Sequence, residues 1–214
     1  MTLLNELEAK NLLASYSIHV NPGLEAAGPM EAAEAATRLG FPVAIKVLSG
    51  RIAHKSDLGM VALNIPSPDC ARGACDRIIT AAKAIDPDAT IVVETMATPG
   101  QEVIAGAKRD PQFGPIVLFG MGGVFVEIFK DVSIRVAPID HAMALEMIGE
   151  IKGYRMLQDF RGKKGVDTNA LADVLVNISR LMMARDDIME LDANPVMAYE
   201  KGAVTVDARI MLKD

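Results

Sequence analysis

Apolar residues recur with two different periods along the chain, and the alternation of these periods is typical of a protein that mixes helices and strands. Helical spacing predicts helices over residues 1–15, 30–39, 69–84, 141–148 and 168–185. Extended patterns predict strands over residues 18–20, 43–48, 60–65, 91–96, 102–107, 115–119, 124–129, 133–136, 188–192 and 203–206. The order of these elements predicts an α/β (α+β) fold made of two lobes with a cleft between them.

A lysine interrupts the apolar strand predicted at residues 43–48. Because side chains alternate between the two faces of a strand, Lys46 shares a face with Ala44 and Leu48, and the three β-branched residues point the other way. Burying an unpaired ammonium group is costly, so a lysine in this position has either an anionic partner or an exposed face. An edge-strand lysine, which protects a sheet against aggregation, is the structural alternative.

The segment after this strand is polar and basic, and it runs from Gly50 to Gly59. It contains His54 and Lys55, and His54 is one of only three histidines in the chain. A loop histidine by itself is more often solvated or hydrogen-bonded than catalytic. The strand lysine and the glycine-bounded basic loop together predict a phosphate site.

Charge and composition restrict the class of protein. The chain has 28 acidic against 22 basic residues and a formal net charge of −6, which argues against a general nucleic-acid binder. Cys70 and Cys75 lie five residues apart on a predicted helix, a spacing that suits neither a disulfide nor a metal pair, so we expect buried or half-buried thiols in a reducing compartment. Glu6 and Glu8 interrupt the N-terminus where a signal peptide needs apolar residues, and no apolar run is long enough for a membrane span. A cytoplasmic protein without membrane contact is the expectation.

Three polar residues near the C-terminus form a candidate metal site. Asp192 and Asn194 lie two apart, so a strand directs both side chains to the same face, and we expect Pro195 to end the strand's pairing. Asp207 follows the next predicted strand. Together they would offer hard oxygen ligands to Mg²⁺. The alternative is that Asp192 and Asn194 only shape a turn.

Two glutamates and a glycine-rich turn are further candidates. Glu94 lies at the end of a predicted strand and Glu102 follows eight residues later, so they could accept hydrogen bonds from an adenine amino group and ribose hydroxyls. The alternative for both is a surface charge. The run Gly120–Gly123 could let backbone amides approach an anion, and a plain hairpin turn explains it equally well.

The order of these motifs resembles the ATP-grasp family, and more closely the nucleotide-binding part of NDP-forming acyl-CoA synthetases, which are related to succinyl-CoA synthetase β subunits. The resemblance covers essentially the whole chain, and the His-Lys-Ser-Asp run and the Asn-Pro hairpin are its more specific parts. The segments that carry it are Pro42–Lys46, His54–Gly59, Phe113–Pro115, Gly120–Gly123 and Glu190–Pro195.

This resemblance implies an ATP-grasp fold with a small lobe at residues 20–94, which carries the phosphate loop, and a larger lobe at 1–19 and 95–214, which carries the metal site. It also implies roles for individual residues. Those near the nucleotide would be Lys46 on the phosphates, Gly50, Lys55 and Gly59 in the phosphate loop, Glu94, Thr95 and Met96 beside the adenine, and Glu102 on the ribose. Those on Mg²⁺ would be Asn194 and Asp207, with Asp192 close by.

The implied reaction is acid + ATP + CoA ⇌ acyl-CoA + ADP + Pi. His54 matches a histidine that accepts a phosphoryl group and delivers it to ADP, and Lys46 assists on the phosphates. CoA would be bound by a partner, either an α subunit or fused domains. One residue departs from the family pattern, since Met60 stands where relatives have a second glycine. A stand-alone ATP-grasp carboxylate-amine ligase and a non-catalytic nucleotide-sensing module are the alternatives.

Overall fold

Helices and strands alternate through the computed structural model, which describes residues 1–52, 55, 57–123, 131–159, 162 and 164–214. The helices are α1 (Glu6–Ser15), α2 (Pro29–Leu39), α3 (Pro68–Lys83), α4 (His141–Glu150) and α5 (Thr168–Ala184), with a 3₁₀ helix at Lys152–Met156. The strands are β1 (Thr2–Leu3), β2 (Gly23–Ala26), β3 (Val43–Leu48), β4 (Val61–Ile65), β5 (Thr90–Thr95), β6 (Gln101–Asp110), β7 (Gly114–Met121), β8 (Val132–Val136), β9 (Ile188–Ala198), β10 (Ala203–Thr205) and β11 (Ala208–Leu212).

The chain divides into two units, each with its own sheet and core. The smaller unit consists of Asn5–Leu7 and Asn21–Ala97. The larger unit consists of Met1–Leu4, Glu8–Val20 and Thr98–Asp214. No helix in the described ranges has the length and apolar character that a membrane crossing requires.

The smaller unit is a four-stranded antiparallel sheet in the order β2-β5-β3-β4, with α2 and α3 packed on one face. Val43, Ile45 and Val47 of β3 belong to the core beneath these helices. Lys46 therefore lies on the opposite face, as the alternation predicts. Because β3 is an interior strand, the edge-strand interpretation of Lys46 is wrong.

Local sequence signals set the ends of the two helices in this unit. Pro29 occupies the first turn of α2, and Gly40 ends it with a left-handed φ of 84°, which glycine adopts without strain. The Ser67 side chain caps α3 by accepting a hydrogen bond from the Cys70 N–H at 3.3 Å. Both helices were predicted from the sequence to within one residue at each end.

The larger unit is a seven-stranded antiparallel sheet. Its order is β1-β11-β9-β6-β7-β8, and β10 pairs with β9 beyond the end of β11. Residues of α4 and α5 pack with one face of this sheet in a core that includes Phe119, Met147, Leu175 and Leu191. The other face of the sheet, called the open face below, carries the residues that alternate with the core positions.

Some elements predicted from the sequence differ from those of the structure. The first helix begins at Glu6 and not at residue 1, because Thr2–Leu3 pairs with β11 as a short strand. The extended piece at 18–20 makes a single bridge from Val20 to Thr205, and the strand of this region is β2. The final strand β11 was not predicted, since the pattern was expected to end with β10. The strand predicted at 124–129 lies outside the described residues.

The two cysteines differ in environment. Both thiols are free, as expected from their spacing. Cys75 lies in the core of the smaller unit, and its burial raises the pKa of the thiol to about 11. Cys70 is exposed, so the expectation of a buried or half-buried side chain holds for Cys75 and is wrong for Cys70.

Asp167 ties the start of α5 to the turn between β9 and β10. Its two carboxylate oxygens accept hydrogen bonds from the N–H groups of Ala170 and Gly202, both at 3.0 Å. The Gly202 and Ala170 hydrogen bonds hold the pKa of the Asp167 carboxyl below its ordinary value. The carboxylate is therefore more stable in the folded than in the unfolded chain.

Asp167→Ala is expected to lower the free energy of unfolding by about 1–2 kcal/mol, because the helix loses its cap. In the parent protein this stabilisation is complete above the ordinary pKa of 3.8 and is lost as the pH falls through the lowered folded-state value. Denaturant titrations at neutral and acidic pH measure both effects, with Asp173→Ala as a control at an exposed position of the same helix. Equal losses in the two variants would contradict the capping role.

Candidate functional site

Lys46 is the centre of a buried charged cluster in the smaller unit. Its side chain is 7% exposed, and its Nζ lies 2.5 Å from Glu6 Oε1 and 2.9 Å from Glu94 Oε2. Lys55 Nζ donates to the other oxygen of Glu6 at 2.8 Å. The anionic-partner interpretation of the strand lysine is thus confirmed. Each buried charge among these residues therefore faces a group of opposite charge, which offsets part of the cost of removing it from water.

Glu94 approaches Lys46 because of the register between β3 and β5. Ala44 pairs with Glu94 and Lys46 pairs with Val92, so the two charged side chains are diagonal neighbours on one face. Glu94 is fully buried, and the surface-charge interpretation is wrong for it. Gly23 of β2 lies opposite Glu94, and a Cβ there would come within 3.1 Å of the Glu94 side chain. The glycine leaves the room that the carboxylate needs.

Asn21 holds the end of β5 in place. Its side-chain amide donates to the Thr95 carbonyl at 2.9 Å and to Glu94 Oε2 at 3.4 Å. The Thr95 N–H donates to Pro22 O at 3.0 Å. Met96, the third residue of the predicted adenine segment, donates its N–H to Pro42 O at 3.4 Å and is half-buried. The segment Glu94–Met96 is therefore fixed by hydrogen bonds at each residue.

The predicted phosphate loop is anchored at its start. Ser49, just before Gly50, is buried and donates its hydroxyl to Asp86 at 2.6 Å, and it accepts the N–H groups of Arg51 and Ile52. The Ser49 hydrogen bond holds the pKa of Asp86 below its ordinary value. His54 lies outside the described residues, so its role stays a prediction.

The end of the loop is anchored as well. Gly59 has a φ of 67°, a left-handed conformation that few other residues adopt. Met60, next to it, donates its N–H to Lys55 O at 2.8 Å, and its side chain is buried in the core. The departure from a glycine pair thus has a structural reason, because the side chain at position 60 fills the core of the smaller unit.

Asp192 and Asn194 lie within strand β9 and not in a turn, so the turn interpretation is wrong. They flank the core residue Ala193 and therefore share the open face of the sheet. Burial raises the pKa of the Asp192 carboxyl, and the hydrogen bond from Asn194 opposes that rise. The shared face predicted from their spacing is confirmed.

Pro195 does not end the strand, contrary to the sequence prediction. The register between β6 and β9 passes from the pair Val103–Val196 to the pair Ala105–Ala193, so two residues of β9 oppose one residue of β6. Pro195 sits in this bulge, where its missing N–H interrupts no ladder hydrogen bond. Pairing continues on the far side to Ala198.

Asp207 lies beside Asn194. The Asn194 N–H donates to the Asp207 carbonyl at 3.1 Å, which brings the backbones of the second and third predicted metal ligands together. Asn194 is exposed and both aspartates are half-buried. Two carboxylates and an amide are hard oxygen donors that suit Mg²⁺. Within the described part of the chain, no three His, Cys, Asp or Glu side chains form a group that could hold a metal ion.

Glu102 lies on the open face of the larger unit, at the start of β6. It is exposed, as the surface-charge and the ligand interpretations both expect. Gly122 donates its N–H to Glu102 O at 2.9 Å, and a Cβ on Gly122 would come within 2.9 Å of the Glu102 backbone. A Cβ on Gly123 would lie 3.3 Å from a carboxylate oxygen of Glu102. The glycines after β7 therefore permit a close approach to Glu102.

Two members of the smaller unit's cluster, Glu6 and Asn21, were not predicted from the sequence. One signal for Glu6 is present, because Glu6 and Lys10 share the helical stripe of the buried residues Ala9 and Leu13. A charged residue on an apolar stripe indicates a buried partner. No comparable local signal identifies Asn21, since an Asn-Pro-Gly run is explained by a turn.

Comparisons with known proteins cover nearly the whole chain. The profile of a family described as an ATP-grasp domain matches residues 1–212. The beta subunit of acetate–CoA ligase [ADP-forming] I from Pyrococcus furiosus is 47% identical over 210 residues, which are 97% of this chain and 90% of the relative. Acetate–CoA ligase [ADP-forming] I from Archaeoglobus fulgidus is 43% identical, and the match covers 96% of this chain but 30% of that longer protein.

Solved structures show the same fold. Acetyl-coenzyme A synthetase 1 from Ca. Korarchaeum cryptofilum, described as dinucleotide forming and in complex with coenzyme A, Ca-AMPCP and HgCl+, superposes with a TM-score of 0.94. It is 45% identical, and the match covers 99% of this chain and 94% of that one. Another structure of this synthetase contains coenzyme A and Mg-AMPPCP, with a phosphohistidine segment pointing towards the nucleotide binding site. It has a TM-score of 0.88 at 44% identity and covers 99% of this chain and 93% of that one.

Proposed function

The chain belongs to the ATP-grasp domain family, and on that premise we propose that it is the nucleotide-binding part of an ADP-forming acyl-CoA synthetase. The observation that carries this proposal is the likeness to an ADP-forming acetate–CoA ligase beta subunit over 97% of this chain and 90% of that subunit. The predicted strand lysine, which the structure holds in a buried charged cluster, supports it.

In this proposal Lys46 and Lys55 contact the phosphates of the nucleotide. One lysine stands on a rigid interior strand and the other on the segment Gly50–Gly59, so a single anion would be held by one fixed and one loop group. Phosphoryl transfer depends mainly on such positioning and charge neutralisation. The residues on either side of the loop are held by hydrogen bonds, Ser49 to Asp86 and Met60 to Lys55.

In this proposal, the adenine base and the ribose of the nucleotide lie at the end of β5 and the start of β6. The segment Glu94–Met96 would lie beside the adenine, and its hydrogen bonds to Asn21, Pro22 and Pro42 support a fixed edge for a flat ring. The exposed carboxylate of Glu102 suits the two ribose hydroxyls, which need acceptors.

Magnesium is assigned to the open face of the larger unit. Asn194 and Asp207 would hold the ion, with Asp192 close by, since they supply the oxygen donors that it prefers. When bound, Mg²⁺ neutralises charge on the transferring phosphoryl group. Hydrogen bonding between Asn194 and Asp192 would keep the amide oriented in the absence of the ion.

In this proposal, His54 is the residue that accepts the phosphoryl group. The lone pair of a neutral imidazole nitrogen forms a bond to the γ-phosphorus, the bond from that phosphorus to the β,γ-bridging oxygen breaks, and ADP leaves with the electron pair. In the direction of ATP synthesis the same steps run in reverse. Lys46 stabilises the negative charge that moves onto the leaving oxygens.

Acyl-CoA formation would need a CoA-binding partner. The Pyrococcus relative is named as a subunit, and the Archaeoglobus relative is a single protein of which this chain matches 30%. Both arrangements fit a partner that is either a separate subunit or further domains of one chain. The identity of the acyl group would be determined there.

The test of this function is phosphorylation by Mg-ATP labelled in the γ-phosphate. We expect an acid-labile, base-stable phosphate on His54, located by mass spectrometry, and a rise in melting temperature with saturating Mg-ADP. An unchanged melting temperature would reject the nucleotide site. Nucleotide binding without phosphorylation would instead favour the nucleotide-sensing alternative.

A further inference from the structure

The Glu6 carboxylate bridges two ammonium groups. Its Oε1 lies 2.5 Å from Lys46 Nζ and its Oε2 lies 2.8 Å from Lys55 Nζ. Glu6 is 3% exposed, so this contact is made away from bulk solvent. A bound phosphate contacts a pair of lysines in the same way, with a different oxygen facing each ammonium group.

These are the two lysines that the proposed function assigns to the nucleotide phosphates. An ammonium group has three N–H donors, and Lys46 directs its ammonium group at both Glu6 and Glu94. A phosphate that bridges Lys46 and Lys55 would occupy the position from which the Glu6 carboxylate contacts both lysines. If the carboxylate stayed in contact, it would lie against the phosphate as a like charge, which is unfavourable where water is excluded.

Glu94 differs from Glu6 in this respect. It contacts Lys46 from the neighbouring strand β5 and accepts a hydrogen bond from Asn21, so it is held by the sheet and by its own partner. Glu6 lies at the first position of helix α1, and it is the carboxylate that links both lysines. Of the two acids, Glu6 is therefore the one that competes with a bridging phosphate.

We propose that Glu6 is an internal occupant of the phosphate site. It holds Lys46 and Lys55 together when no nucleotide is bound, and nucleotide phosphates bind in exchange for it. This inference rests on the proposed function, because it takes the two lysines as the phosphate ligands. Glu6 then stabilises the empty site and lowers nucleotide affinity, and so favours release of the nucleotide.

The exchange predicts the direction of a mutational effect. Glu6→Gln keeps the size of the side chain and removes the competing charge, so Mg-ADP is expected to bind about tenfold more tightly. The melting temperature of the free variant is expected to fall, because Lys46 loses an ionic partner, and the rise on adding Mg-ADP is expected to be larger. If Glu6 instead positioned the lysines for phosphate, the same variant would bind more weakly.

The experiment is a calorimetric titration of Mg-ADP into the parent protein, Glu6→Gln and the control Glu34→Gln, which removes the same charge from an exposed position of α2 in the same unit. Tighter binding of Mg-ADP by Glu6→Gln, with unchanged binding by the control, supports the exchange of Glu6 for the nucleotide phosphates. Equal or weaker binding by Glu6→Gln overturns it while leaving the proposed function intact. Absence of binding to the parent protein overturns both. Should Glu6→Gln not fold, Glu6→Asp serves instead. Its side chain is shorter by one methylene and is expected not to bridge both lysines, so Mg-ADP is expected to bind more tightly. Equal or weaker binding by that variant would overturn the proposal.

Discussion

Lys46→Met is expected to weaken Mg-ATP binding about a hundredfold and to destabilise the folded protein by about 3 kcal/mol. Methionine keeps an unbranched apolar side chain about as long as the lysine stem and lacks the ammonium group. Glu94 then remains fully buried without its ionic partner on β3, although Glu6 keeps Lys55. Titration calorimetry measures the first effect and denaturant unfolding measures the second.

A second substitution separates these two effects. In the double variant Lys46→Met with Glu94→Gln, the buried carboxylate that paired with Lys46 is also neutralised, and the pair between Glu6 and Lys55 remains. Most of the lost stability is expected to return while binding stays weak, since the phosphates still lack their lysine. The single variant Glu94→Gln shows how much of the change in stability comes from the Glu94 substitution by itself. Lys83→Met, at an exposed position of α3, controls for the change in net charge. Parental affinity in the double variant would refute the phosphate role of Lys46.

His54→Ala is expected to abolish transfer of the γ-phosphoryl group from ATP to the protein, with a loss of about a thousandfold or more. Affinity for Mg-ADP is expected to change by less than about threefold, because ground-state binding is assigned to Lys46, Lys55 and Glu102. Single-turnover incubation with labelled Mg-ATP, followed by quantification of acid-labile phosphate, measures the transfer.

The chain supplies matched controls for this variant. His19 and His141 are the other two histidines, and both are exposed. His19→Ala and His141→Ala are expected to be phosphorylated at the parental rate. Phosphate incorporation into His54→Ala at the parental level would show that another group accepts the phosphoryl, and the assignment would then be wrong.

Most helices and strands were predictable because their signals are local. Gly40 ends α2 and the alternation in β3 separates Lys46 from its neighbours, and both signals lie within a few residues of the feature they predict. The strand β11 was missed because its turn after β10 is very short. The resemblance of the motifs also identified the family from the sequence, since those motifs keep their order along the chain.

The candidate site was predictable only in part. The face shared by Asp192 and Asn194 follows from a period of two residues. The bulge that accommodates Pro195 does not, because it depends on the register of β6 against β9. The core position of Met60 likewise depends on helices that pack from elsewhere in the chain.

The sequence by itself determined which segments are helices and strands, which face of β3 carries the lysine, and which family the motifs resemble. Only the tertiary structure decided how the charges pair. Glu6 is separated from Lys46 by 40 residues and Asn21 from Glu94 by 73, so no local pattern encodes either contact. The physical reason is that periodicity reflects interactions among near neighbours, whereas a buried ion pair requires the fold to bring distant residues together and exclude water from them.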